Sequence, residues 1–75
     1  MTLEELREWD NKHPNEFVII QFVDGSKKTG ILKNSYPGNP QYPGGGVQTE
    51  DYFMLENQLI TTAYRVDSID TIETA

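Results

Sequence analysis

The chain has no cysteine and one histidine, His13. The first absence excludes disulfide staples and thiolate metal sites. With no thiol nucleophile and no second histidine, catalysis has little to draw on. Carboxylates alone would have to build any metal site, and their spacing shows no calcium-loop pattern. No catalytic residue, metal or cofactor is expected. Positive charge is also scarce, at six Lys and Arg against twelve Asp and Glu, for a net charge of −6. That balance argues against a plain basic nucleic-acid binder. No apolar run approaches the roughly 18 residues that a membrane span needs. The first ten residues carry four acids and no apolar core, unlike a secretory signal. The expectation is a soluble, cytoplasmic protein with no membrane contact.

What is present fits one small domain of 75 residues. A core of that size leaves about 3–5 kcal/mol of net stability. Such a chain must pack tightly or assemble with copies of itself. Its 36% hydrophobic content lies in the globular range once glycine is added, which argues against disorder.

The opening reads as a short helix over about residues 2–12. Thr2 with Glu5 three residues on forms a capping box, and Met1 and Leu6 are spaced as a hydrophobic staple. Leu3, Leu6 and Trp9 make an apolar stripe suited to lie on a core. Glu4, Glu5 and Glu8 sit near the positive end of the helix dipole. Trp9 reads as helix packing. His13 precedes Pro14, where the helix must stop, and reads as a C-terminal cap.

From residue 16 the period changes. Residues 17–23 are rich in β-branched and aromatic side chains and read as a strand. Asp24-Gly25 signals a turn. Residues 27–34 form a second strand interrupted by Gly30, and an internal glycine marks a bend or close approach. Residues 52–56, 59–66 and 68–72 read as three more strands. Five short strands suit a small closed barrel that removes sheet edges. The barrel would span about residues 16–73. Between its second and third strands lies a loop over about residues 35–50. It holds three of the four prolines and two Tyr-Pro-Gly triplets, starting at Tyr36 and Tyr42. Loops this long are usually functional or mobile.

Two segments and a link between them carry a family resemblance. From Val18 to Leu32, apolar residues precede a turn glycine, Gly25, and a second glycine, Gly30, five positions on. From Tyr64 to Ile72, Arg65 is followed by apolar Val66, Ile69 and Ile72. Between them stands Asp51-Tyr52-Phe53-Met54. In this order, after a helix, these features resemble the Sm-like family, which includes bacterial Hfq. The resemblance covers about residues 2–73. It implies a mainly β fold, a short N-terminal helix followed by a strongly bent, five-stranded antiparallel small barrel of Sm-like or SH3-like kind. It also implies a homo-oligomeric hexamer or heptamer ring, in which the fourth strand of one copy pairs with the fifth of the next, and an RNA or nucleotide ligand. Three features depart from the family. The inserted loop is long, Val66 replaces the glycine that follows the motif arginine, and Leu55 stands where an asparagine often contacts the base.

By the same resemblance, Asp51, Phe53 and Arg65 would meet near the ring pore. Phe53 would stack on a base, Arg65 would stack on it or bond to it, and Asp51 would orient Arg65. The alternative makes Phe53 core and Arg65–Asp51 a structural ion pair. Lys27, Lys28 and Lys33 surround the second strand, as a local anion patch or as protection of a sheet edge. Tyr36 and Tyr42 offer aromatics on a stiff backbone, for a base or a protein partner. The sequence thus supports a non-enzymatic ring-forming binder of RNA or nucleotide at a focused pocket. The alternative is an acidic protein-interaction module on an SH3-like barrel, acting as an inhibitor or nucleic-acid mimic.

Overall fold

The computed structural model describes residues 1–38 and 50–75. Helix α1 spans Leu3–Lys12, with the capping box in place: Glu5 N donates to Thr2 Oγ1 and Thr2 N donates to Glu5 Oε1. Leu6 is buried, and Leu3 and Trp9 pack against the core, as the apolar stripe predicts. The backbone N–H of His13 donates to the carbonyls of Trp9 and Asp10, closing the helix. Arg7 ties the helix to the sheet by donating to the hydroxyl and carbonyl of Ser35.

Five strands follow: β1 (Phe17–Phe22), β2 (Lys27–Tyr36), β3 (Tyr52–Asn57), β4 (Ile60–Arg65) and β5 (Ile69–Thr74). They form one antiparallel sheet in the order β4-β3-β2-β1-β5. Strand β2 runs two residues beyond its expected end, because Ser35 and Tyr36 pair with Phe53 and Tyr52. Strand β5 starts one residue late and runs to Thr74, held by β1.

The sheet is strongly bent, and β2 is where it turns. Its first half, to Ile31, pairs with β1, and its second half, from Ile31, pairs with β3. Gly30 sits at the pivot, where a Cβ would lie 2.5 Å from the backbone oxygen of Glu56. Only glycine permits that approach. The chain path requires the bend. Strands β4 and β5 occupy opposite edges, four spacings or about 19 Å apart in a flat sheet. The turn Val66–Ser68 joins them, and the four residue steps from Arg65 to Ile69 reach at most about 14 Å. The sheet therefore folds back on itself. It remains an open sheet, since no strand pairing joins β4 to β5 among the described residues. The closed barrel expected from the strand count is not what the pairing shows.

The core lies inside the bend. Val18, Ile20 and Phe22 of β1 meet Leu32, Phe53, Leu55, Val66 and Ile69, capped by Leu6 of α1. Along β1 the buried residues alternate with more exposed ones, the period-2 pattern of a strand. Val66 and Leu55, two of the three departures from the Sm-like pattern, are both buried in this core.

Candidate functional site

The expected trio does not come together. Phe53 is 0% exposed and packs against Tyr64, so its ring offers no face to a ligand. This agrees with the alternative of a core role. Asp51 does not hold Arg65. Its carboxylate accepts from Gly38 N at 2.8 Å, and its carbonyl accepts from Val66 N at 2.9 Å. Asp51 thus stitches the loop base to the turn after β4. Arg65 pairs instead with Asp67, Nη2 to Oδ2 at 2.7 Å.

The pleat assembles a different constellation. Since Phe53 faces the core, Tyr52 must face the other side. Tyr52 is paired with Tyr36 on one flank and Arg65 on the other. The two tyrosine rings stack, with centroids 5.1 Å apart and planes 28° from parallel. Strand β1 does not reach this row, since its pairing with β2 stops at Ile31. Tyr36 therefore ends the row and is exposed. The result is an aromatic pair on the outer face of the sheet, with Arg65 opposite Tyr52 in the register and its guanidinium held by Asp67. Such a surface can stack an unpaired base and hydrogen-bond its edge. Residue 42, the other loop tyrosine, lies outside the described residues.

Tyr52 was legible but missed. Strict alternation from a buried Phe53 places it outward, and the β2–β3 register sets Tyr36 and Tyr52 opposite each other.

Beside this row is an open pocket of about 320 Å³, lined in part by Met1, Gly38, Glu50, Asp51 and Asp67. Its three carboxylates make that flank acidic. The three lysines do not form one patch. Lys33 pairs with Glu56 at 3.6 Å, whereas Lys27 and Lys28 line a separate groove with Thr29, Asn57 and Tyr64.

Perturbed carboxylates lie away from the row, and each has a local cause. The backbone N–H of Thr2, then its hydroxyl, holds Glu5 below the ordinary carboxylate range. The hydroxyl of Ser26, then its N–H, does the same for Asp24 in the β1–β2 turn. Burial pushes Asp10 up. No cluster of three or more potential metal ligands occurs among the described residues. No described helix is long and apolar enough to cross a membrane.

Comparison with known proteins finds no matching family model, no matching curated protein and no matching solved structure.

Proposed function

We propose that the chain is a non-enzymatic Sm-like binding module, a small bent barrel whose copies join edge to edge into a ring and hold an RNA base or nucleotide. The observation that carries the ligand half is the Tyr36–Tyr52–Arg65 row. Stacking on such a platform contributes about 1–3 kcal/mol per base. A net charge of −6 disfavours a long phosphate backbone, so a short single strand or a nucleotide suits the site better.

The ring half is supported by two sheet edges of opposite character, both unpaired among the described residues. Strand β4 carries Arg65 and no acid, and β5 carries Asp70 and Glu73 and no base. Pairing β4 with β5 of a second copy brings unlike charges together, whereas pairing β5 with itself faces acids with acids. Such a heterologous contact generates rings when the rotation closes. On β4, the core-side residues Ile60, Thr62 and Tyr64 are left partly or fully exposed. A neighbour's strand would cover them.

Labelled single-stranded RNA oligonucleotides and free nucleotides, titrated at low salt, test the ligand. Tyr52→Ala, Tyr36→Ala and Arg65→Ala should each weaken binding about tenfold or more. No binding by the parent protein at low salt would end this reading. A second reading, an acidic surface for a basic protein partner, draws on Glu50, Asp51 and Asp67 around the adjoining pocket. It expects the row variants to leave binding unchanged and charge reversal of those acids to abolish it.

A further inference from the structure

The β3–β4 hairpin combines two costly features at one point. Asn57 pairs with Ile60, so Gln58 and Leu59 form a two-residue turn. Both have positive φ, 52° and 69°. Turns of this type favour Asn-Gly, because a side chain in the left-handed region is strained. Here a leucine occupies the position where glycine fits best. Leu59 is also 96% exposed, and Ile60 beside it is 68% exposed. Strain and full exposure of a large apolar side chain at the same residue call for a use of that residue.

We infer that Leu59 is an assembly knob, seated on Phe17 of the neighbouring copy when β4 of one protomer pairs antiparallel with β5 of the next. This rests on the edge-to-edge assembly proposed above and fixes its orientation. Every pairing in the sheet is antiparallel, and an antiparallel addition continues it with the more favourable ladder. Matching pleats with full overlap of the two six-residue strands places Ile60 opposite Thr74 and Thr62 opposite Ile72, keeping core-side residues on one face. The hairpin tip then projects past Thr74 of the second copy. Within each chain, that end of β5 lies beside the start of β1, with Ala75 N donating to Phe17 O. Phe17 is the large apolar side chain exposed there, at 49%. The knob and its seat are thus on opposite edges of the same chain, as a head-to-tail contact requires. The same register sets Arg65 opposite Ile69 of the second copy, one position along the strand from its Asp70.

Parallel addition makes a different prediction. It would carry the tip to Ser68 of the second copy, whose carbonyl accepts from Val23 N, and so to exposed Val23. Because the chain has no cysteine, introduced thiols can decide between the two. Leu59→Cys protein is mixed with Phe17→Cys protein, or with Val23→Cys protein, and treated with a bismaleimide cross-linker spanning about 10 Å, because β5 lies between each pair and two strand spacings exceed the reach of a disulfide. The expected result is a covalent dimer with Phe17→Cys in large excess over that with Val23→Cys. Cross-linking to Val23→Cys, or to neither while light scattering still reports a multimer, overturns the inference and leaves the assembly reading standing. A monomer by light scattering overturns both. A second variant tests the trade between strain and contact. Gln58→Asn with Leu59→Gly should raise the melting temperature of the diluted monomer by several degrees and weaken assembly at least tenfold. Unchanged assembly in that variant overturns the inference as well.

Discussion

Asp10 shows how a single residue can work against its own fold. It sits in the last turn of α1, where the helix dipole disfavours an anion, and burial raises its pKa above the ordinary 3.8. A carboxyl with a raised folded-state pKa costs stability when ionised. The cost is complete above the folded value and vanishes as pH falls below the ordinary one. Asp10→Asn should therefore raise the denaturant midpoint at pH 7, with the gain shrinking toward pH 3. Glu5 and Asp24 act in the opposite sense. Their lowered values give stability that is present above the ordinary values of 4.5 and 3.8 and is lost as pH falls through the folded ones. Thr2→Ala removes the hydroxyl that accepts from Glu5 N and should cost about 1 kcal/mol in urea unfolding. These local features were readable at once, because a cap and an Asp-Gly turn depend on neighbours within three residues. The partner of Asp51 was not. Its bond to Gly38 spans 13 positions, and only the folded loop base brings the two together.

At the scale of elements, the helix and all five strands follow from periodicity and turn chemistry. The exceptions have physical causes. Strand β2 extends to Tyr36 because a cross-strand tyrosine stack rewards pairing beyond Asn34, which a local reading of Ser35 and Tyr36 as loop could not show. The hairpin turn falls on Gln58-Leu59, a pair with no turn propensity, because the registers of β3 and β4 leave only two residues between Asn57 and Ile60. The family motif alone leaves Phe53 as either a base contact or core, whereas the pleat sends its ring inward and Tyr52 outward. Two substitutions check this arrangement of elements. Gly30→Ala places a methyl against the Glu56 carbonyl, which has no room to yield, and should abolish cooperative thermal unfolding. Phe53→Ala should cost about 3–5 kcal/mol, as much as a domain this small possesses. Tyr52→Ala, one position away, should leave far-ultraviolet circular dichroism and the melting temperature nearly unchanged while weakening base binding. If Tyr52→Ala unfolded the protein as Phe53→Ala does, the two faces would have been misassigned.

For the whole molecule, small size and acidity combine into one constraint. Among the described residues, a single bent sheet with a nine-residue core leaves the outer sides of β4 and β5 unpaired, and an open edge is a template for another chain. The edges carry opposite charge, so head-to-tail pairing is favoured over self-pairing of either edge. On the proposed reading, the same overall acidity disfavours a long nucleic acid and would leave recognition to the uncharged stacking surface of Tyr36 and Tyr52. The most direct test of this account is the native mass of the protein in solution at micromolar concentration, by multi-angle light scattering. The account expects a discrete multimer, several times the 8.6 kDa of one chain, that loses mass when the outward-facing N–H of β4 at Thr61 is removed by Thr61→Pro. A folded species of 8.6 kDa across the whole concentration range would contradict it.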